Sequence, residues 1–578
     1  MFTGLLYLFS LLCSLVIAQL PLPNPPFLPP NSSAGSEASS GYPNPQWSTL
    51  LGNLFYFYEA QRSGDLPTTN RVSWRNSSCA DDGKDVGIDL SGGYYDAGDY
   101  IKATYPLAFT LMSVCWGATD FGRGYDLANQ TAYLDDMLRW GLDWLIKAHP
   151  KNDTLFVTVA DPDVDNGYWG GDQSIPKPRP SFQINSTHPG TDVAAGTAAA
   201  FAACSNLYSG RGFGGAFSSP ASLQNASYSQ TLLTHAQQLY DFAKNAPQIN
   251  YQKSVPNVAE TYGSNSFGDD LAIAALFLAF GTNSTSLYQE SEDYFKKDNL
   301  GNRDVVFNWD SKTPGLYILF AQIAQSGANL GGSLSTWQGE AERYLDRIVN
   351  GKGPAYLTSG GLLYYPDDSD EASLNPALNA AVLLNRYAQM ASTPDKKSSY
   401  LQYSRNQVDY ALGKNPMNVP YIVGSNPNSP SNPHSAMASG GSDIYHIDTS
   451  PPTMTYTLYG AVIGGPDKSD NYYDIRRDWP QTEVALDYNA PMLTLAAMHV
   501  LNDTNDPFFT ALQAGEYDKV KPQGEPCDAA ISDGCGEGSR LSMAGKIALG
   551  VIFGITGVTI IGLLVWYFIS VRKRKTAH

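Results

Sequence analysis

Apolar positions along most of this chain recur at helical spacing. Over residues 47–60 (Trp-Ser-Thr-Leu-Leu-Gly-Asn-Leu-Phe-Tyr-Phe-Tyr-Glu-Ala) steps of three and four describe a buried helix, which Gly64 and Pro67 close. The same spacing predicts helices over 107–116, 131–148, 192–207, 228–246, 269–280, 286–297, 314–325, 334–349, 374–390, 398–412 and 490–501, with 507–514 as a short tail. No strand-rich run competes with them, so the expected class is all-α. Ala-rich stretches at 194–203 (interrupted by Gly196) and 272–279 permit close helix–helix approach. Two long stretches, 70–105 and 153–189, carry no helical pattern. The first is dense in Asp, Gly and aromatic residues, as expected of a functional loop. A dozen helices in one domain suggest concentric pairs, with a site built from loops at one end.

The two ends follow other patterns. Residues 1–18 form a short apolar run ending in Val16-Ile17-Ala18 and read as a signal peptide, although no Lys or Arg precedes the run. Residues 19–45 are rich in Pro, Ser, Gly and Asn and are expected to be a disordered lead. The helical domain occupies 46–516 and a polar stalk 517–546. Residues 547–571 carry no charge and are long enough to cross a bilayer. Arg572-Lys573-Arg574-Lys575 follows, which places 572–578 in the cytoplasm. The expectation is a single-pass cell-surface protein whose domain lies outside the cell. Eight Asn-x-Ser/Thr sequons, at Asn31, Asn76, Asn129, Asn152, Asn185, Asn225, Asn283 and Asn502, suit that compartment.

Of six cysteines, Cys13 lies in the apolar leader. Cys527 and Cys535 bracket a short loop and suit a local disulfide, whereas Cys79, Cys115 and Cys204 leave one thiol unpaired. A net charge of −18 argues against a nucleic-acid partner and fits a neutral ligand. No Cys/His spacing suggests zinc. Asp81-Asp82 is a candidate calcium loop, but the sequence demands neither calcium nor any other cofactor.

Candidate chemistry gathers in two places. Residues 472–491 hold Asp474, Asp478, Glu483 and Asp487 among Tyr472, Tyr473, Trp479 and Tyr488. Far upstream, Gly92-Gly93-Tyr94-Tyr95-Asp96-Ala97-Gly98-Asp99-Tyr100 repeats the mixture. Glycoside hydrolysis needs two carboxyl groups flanking the bond, one protonated and one ionised. Sugar sites also need aromatic platforms for the C–H faces of the ring. Asp and Gly are equally common in ordinary turns, so composition alone leaves both readings open.

The spacing of Tyr472-x-Asp474, Trp479, Glu483, Ala485, Asn489 and Ala490 resembles the active-site signature of glycoside hydrolase family 9, the inverting cellulases. Arg71-Val72-Ser73-Trp74-Arg75 and the run from Asp85 to Asp99 resemble the same family. So do Pro189-Gly190-Thr191-Asp192, Phe307-Asn308-Trp309-Asp310, Tyr410-Ala411-Leu412-Gly413-Lys414-Asn415-Pro416 and Gly464-Gly465-Pro466-Asp467. The resemblance covers about 47–501 and implies an (α/α)6 barrel. It also implies Glu483 as general acid, Asp99 as general base, Asp96 as a second holder of the attacking water and Asp474 as a supporting residue. His434, Trp309 and Tyr488, with Tyr95 beside Asp96, would contact sugar. Inversion implies carboxyls ~6.5–9.5 Å apart, with environments that push their pKa values apart.

Several positions depart from the family pattern. His434-Ser435-Ala436 lacks the usual His-x-Arg, and Glu371 stands where Trp is common. Asn375 replaces an Arg, Asn426 a Gly, Gly196 a Glu and Asn166 a His. The resemblance implies an endo-β-1,4-glucanase acting on cellulose or a related β-glucan, as a monomer. No carbohydrate-binding module is evident, and a membrane tether would replace one. The altered contacts leave open an exo-acting or amino-sugar-directed glycosidase. A surface glycan-binding protein on the same fold is the non-enzymatic alternative.

Overall fold

A helix that is apolar on every side has to be enclosed on every side, and the chain alternates such helices with one-faced ones. The computed structural model describes residues 19–32, 34–35, 41–214, 219–532 and 535. Its long helices are α1 (Pro45–Ala60), α2 (Thr104–Leu127), α3 (Thr131–Ala148), α4 (Thr191–Tyr208), α5 (Ala226–Asn245) and α6 (Gly268–Thr282). They continue as α7 (Thr285–Lys297), α8 (Thr313–Gln325), α9 (Leu334–Val349), α10 (Leu374–Ala388), α11 (Pro394–Ala411) and α12 (Leu486–Asn502). Every residue of α4 and α10 is buried, whereas α7 buries only Tyr288 and Ser291 and α9 buries a single stripe. The even-numbered helices contact one another in sequence, and α12 returns to α2, closing a six-membered ring. The odd-numbered helices pack outside it. This is an (α/α)6 barrel.

Close approach in the ring depends on small residues. A Cβ on Gly124 of α2 would lie 2.0 Å from the carbonyl oxygen of Ala497 in α12. The barrel interior is closed by a buried polar cluster. Arg386 pairs with Asp120 and lies 3.7 Å from the Trp116 ring centroid. Gln322 donates to Asp120 at 3.0 Å and accepts from the Trp116 indole at 2.8 Å. Removing one member would strand the others without partners in a dry interior.

Helix boundaries differ from the sequence expectation for local reasons. α1 starts two residues earlier because Asn44 accepts from Gln46 N and Trp47 N, with Pro45 in the first turn. α2 runs to Leu127, past Gly117, Gly122 and Gly124, with a kink at Phe121 (φ −121°, ψ 20°); Gly117 and Gly124 pack against α12 and Gly122 against Pro220. α12 begins at Leu486 despite Pro491 within it. Pro491 has no N–H for the Asp487 carbonyl, and Asn375 Nδ2 donates to that carbonyl instead, at 3.0 Å.

Two small sheets were not expected. Strands β1 (Lys102–Ala103), β2 (Thr154–Val159) and β3 (Ser181–Asn185) form an antiparallel sheet in that order, with Lys102 opposite Val159 and Val159 opposite Ser181. β2 is buried at every position after Thr154, so it lacks the in–out alternation that would mark it. The second sheet is a hairpin of β4 (Tyr356–Leu357) and β5 (Leu363–Tyr364).

Over its described residues, 19–32, 34–35 and 41–45, the expected disordered lead is a correction. Leu20, Leu22 and Phe27 pack against the main core. Leu20 N donates to Asp135 at 2.7 Å, Phe27 N to Tyr133 Oη at 2.8 Å, and Gly35 N to the Leu512 carbonyl at 3.0 Å. A few apolar anchors suffice, because prolines restrict the chain before it docks. The expected domain end at 516 also moves. Tyr517 donates to the Tyr472 carbonyl at 2.9 Å, and the compact unit extends to Pro522. In the second unit, 523–578, the described residues include the Cys527–Cys535 disulfide. Cys115–Cys204 joins α2 to α4, which leaves Cys79 as the free thiol among the described residues. No described helix is long and apolar enough to cross a membrane. The leader 1–18 and the apolar run 547–571 lie outside the described residues.

Candidate active site

Three chain segments remote in sequence are stitched together by backbone hydrogen bonds at one end of the barrel. The first leaves α1. Gln61 is fully buried, and its Nε2 donates to the carbonyls of Tyr95 (3.2 Å) and Ala97 (2.7 Å). Asp96 N donates to the Ile101 carbonyl at 2.9 Å, closing a turn that carries Asp96 and Asp99. The second segment holds His434, and Ala436 N donates to the Gly98 carbonyl at 2.8 Å. A Cβ on Gly98 would lie 2.2 Å from the His434 carbonyl oxygen, so only glycine fits between the two carboxylates of the turn. The third segment is 479–486. Glu483 N donates to the Trp479 carbonyl at 3.0 Å, and Leu486 N to the Asp96 carbonyl at 3.0 Å. The last bond joins the two halves of the site.

Together they wall a cleft of about 540 Å³. Asp96, Asp99, Glu483, His434, Trp309 and Tyr488 all line it. Asp165, Glu260, Glu371, Asp487, Tyr262 and Trp169 line it too, and no Lys or Arg does. Ala436, where the family pattern has Arg, is among the lining residues.

With many carboxyls and no cation in the wall, acid groups hold their protons. Burial, then the charges of Asp96, Asp487 and Glu371, pushes Glu483 up to about 8, against a hydrogen bond from the Gly98 N–H. Burial and Asp96 push Asp487 up to about 8. Burial pushes Asp96 up to about 7 against the hydrogen bond from the Tyr262 hydroxyl, and its Oδ1 has no partner among the described residues. Asp99 is also pushed well up, by burial and then by Asp165, Glu483 and Asp96, while the Ile101 N–H (3.4 Å) favours its ionised form. Both carboxyls of the expected acid–base pair, Asp99 and Glu483, therefore move upward. Two of the three charges acting on Asp99 belong to groups that are themselves protonated near neutrality.

His434 is half-buried and neutral, desolvation pushing its pKa down to about 4. Its Nδ1–H donates to the Arg476 carbonyl at 2.7 Å, which leaves Nε2 as an acceptor, and its ring lies 4.8 Å from that of Trp169. Trp309 meets Tyr262 edge-on at 5.0 Å.

Two expected site residues lie elsewhere. Tyr95 is fully buried in a second apolar cluster beneath the Asp99 turn, with its hydroxyl 2.8 Å from Ser78 Oγ, so it is a support and not a sugar contact. Asp474 does not line the cleft. Its carboxylate accepts from Ser431 N (3.0 Å), Ser431 Oγ (2.5 Å) and Asn432 N (3.0 Å), anchoring the segment that leads to His434. Asp474→Ala is expected to lower kcat/KM by roughly ten- to a hundredfold, through misplacement of His434, without moving the pH profile; steady-state kinetics across pH checks this. The candidate calcium loop is a further correction. Asp81 pairs with Lys177, and Asp82 pairs with Arg179 (2.8 Å) and Lys102 (2.7 Å), so its carboxylates already have cationic partners.

Tyr262 and Asp165 were missed. Tyr262 lies in a stretch without a motif. Asp165 sits on a four-residue helix inside the irregular 153–189 stretch, where its Oδ2 accepts from Tyr100 N at 2.8 Å.

The raised carboxyls also set stability. Asp96, Glu483 and Asp487 titrate above the ~4 of unfolded carboxyls. Their contribution is intact below about pH 4 and is lost as pH rises through 7–8. The melting temperature is expected to fall between pH 5 and 8.5, and Asp487→Asn to flatten that slope, as scanning fluorimetry would show.

A helical barrel with paired carboxyls in an aromatic cleft defines a glycoside hydrolase. The family model for glycosyl hydrolase family 9 matches residues 47–496, and the chain belongs to that family. It is 34% identical to Endoglucanase 13 of Arabidopsis thaliana, over 78% of this chain and 93% of the relative. It is 36% identical to Endoglucanase A of Bacillus pumilus, over 76% of this chain and 64% of the relative, so it spans slightly under two thirds of that protein's length. The endoglucanase of the termite Nasutitermes takasagoensis superposes with a TM-score of 0.69 at 34% identity, covering 78% of this chain and 98% of that one. The cellulase Cel9M of C. cellulolyticum in complex with cellobiose gives 0.69 at 27% identity, covering 79% and 98%.

Proposed function

We propose that this enzyme hydrolyses internal β-1,4-glucosidic bonds of cellulose or a related β-glucan with inversion. The observation that carries the reading is the meeting of Asp96, Asp99 and Glu483 in one cleft, with Glu483 titrating near 8. Glu483 gives its proton to the leaving glycosidic oxygen. Asp99 takes a proton from the attacking water, and Asp96, whose Oδ1 has no partner among the described residues, holds that water with it. Protonated Glu483 and Asp96 no longer push on Asp99, and this lets it ionise. The relatives and solved neighbours named endoglucanase or cellulase support the substrate class. Proton NMR of the first product formed from cello-oligosaccharides tests inversion, and viscosity against reducing ends on a soluble cellulose tests endo action. Retained β-anomer, or release of terminal sugars alone, would overturn the reading. A second reading, an amino-sugar polymer, is favoured by the wholly acidic wall with Glu371 in it; chitosan oligomers in the same assay decide between them.

We further propose that the enzyme works as a monomer at the cell surface, entering the secretory pathway through 1–18 and held by 547–571, with 572–578 in the cytoplasm. The apolar runs, the basic tail and the Cys115–Cys204 disulfide support this. Truncation after residue 546 should release a monomeric enzyme into the medium; retention of the truncated chain on membranes would sink the anchor.

A further inference from the structure

The cleft wall continues beyond the residues that carry chemistry. Ile444 lines it, on the short turn Ile444–His446. Asp443 fixes that turn twice. Its Oδ1 accepts from Tyr445 N at 2.9 Å, and its Oδ2 accepts from His446 Nδ1 at 2.6 Å. Ile444 and Ile447 pack down onto the second apolar cluster, which includes Tyr95, Tyr100 and Trp169. The turn is therefore held from below by apolar contacts and from its start by a carboxylate.

Tyr445 stands between those two anchors, its backbone N–H held by Asp443 and its side chain in solvent. It is 90% exposed, the most exposed large apolar side chain among the described residues. A tyrosine ring normally gains from burial, and folds rarely leave one in solvent on a fixed support. Here the support adjoins a cleft already lined by Tyr168, Trp169, Trp309 and Trp479. The polar side chains flanking Tyr445, Asp443 and His446, are hydrogen-bonded to each other. What remains is an apolar ring face beside the cleft mouth, matched to the C–H face of an uncharged pyranose.

We propose that Tyr445 is a sugar-stacking platform at the cleft mouth, binding a glucosyl unit of the same polymer chain whose scissile bond lies at the catalytic carboxyls. The continuity of the Ile444–His446 turn with the cleft wall identifies the occupant as that chain. The proposal rests on the glucan reading above, and it assigns the platform to binding and not to chemistry.

The test uses the full chain and two variants, Tyr445→Ala and Tyr445→Phe, on hydroxyethylcellulose, a neutral polymer, and on cellotriose, a short oligomer. In Tyr445→Ala the KM for the polymer is expected to rise roughly three- to tenfold, the scale of one aromatic contact. The kcat should be unchanged, as should both constants for cellotriose. Tyr445→Phe, which keeps the ring, should behave as wild type. Equal polymer KM in Tyr445→Ala and wild type, an equal loss on both substrates, or a loss in Tyr445→Phe as large as in Tyr445→Ala would overturn the proposal. A binding arm separates it from the reading it rests on, using affinity electrophoresis in hydroxyethylcellulose gels with Glu483→Gln and the double variant Glu483→Gln/Tyr445→Ala. If wild type cleaves neither substrate but the double variant is retarded less than Glu483→Gln, the hydrolytic reading fails and the platform stands. If neither is retarded, both fail.

Discussion

Glu483→Gln is expected to lower kcat on cello-oligosaccharides by roughly 10²–10⁴-fold, the range a positioned general acid supplies, or about 3–5 kcal/mol of barrier. The amide keeps the size of the side chain and an oxygen to accept from the Gly98 N–H, so KM should hardly move. What it lacks is a proton of suitable acidity for the leaving oxygen. A dinitrophenyl β-cellobioside departs without protonation, so most of the lost rate should return on that substrate. The pH profile carries the same signature. Wild-type activity should fall as pH rises through about 8, where Glu483 loses the proton it has to give. On the activated substrate, Glu483→Gln should show no such alkaline limb. A variant that turns over cello-oligosaccharides normally, or that keeps the limb near 8, would remove Glu483 from the acid's place.

Helical spacing was enough to read a dozen helices in one domain, because alternating inner and outer helices differ in how much of their surface is apolar, whereas the barrel itself was implied by the family resemblance. α9 coincides with its expected range, 334–349. Misreadings came where a residue's usual meaning was overridden by a partner elsewhere. The expected helix 490–501 includes Pro491 but starts too late: α12 begins at Leu486, and Asn375 takes up the carbonyl that the proline leaves without a donor. The expected helix 107–116 stops before Gly117, yet α2 continues past it, and Gly117 and Gly124 mark its contact with α12. Within the site, Asp96, Asp99 and Glu483 were legible because their motifs are contiguous stretches. Tyr262 was not: its hydroxyl reaches Asp96 across 166 residues, and only the fold brings them together. Tyr95 and Asp474 show the converse limit. Both sit within the motifs, and both point away from the cleft to hold the turns that carry the reacting groups. A motif records which residues a site requires and does not separate those that touch substrate from those that position others.

Asp99→Asn should lose as much activity as Glu483→Gln, roughly 10²–10⁴-fold in kcat, but with the opposite response to the leaving group. Attack by water still requires removal of a proton however readily the aglycone departs, so dinitrophenyl β-cellobioside should rescue nothing. The asparagine can still accept from the Ile101 N–H, and the turn around Gly98 is held by backbone contacts, so the cleft should keep its shape. In wild type, activity should decline toward acid pH as Asp99 gains a proton. Asp99 is raised by burial and by Asp165, so this limb should lie above the range of an exposed carboxyl. Asp165→Asn removes the largest charge acting on Asp99 and should shift the acid limb to lower pH, leaving the alkaline limb near 8 in place. The Asp99→Asn residual rate should show no acid limb. Rescue of Asp99→Asn by the activated leaving group, or an acid limb unmoved by Asp165→Asn, would assign the base to another carboxyl. Asp96 is then the candidate, because its Oδ1 has no partner among the described residues and it shares the cleft wall with Glu483.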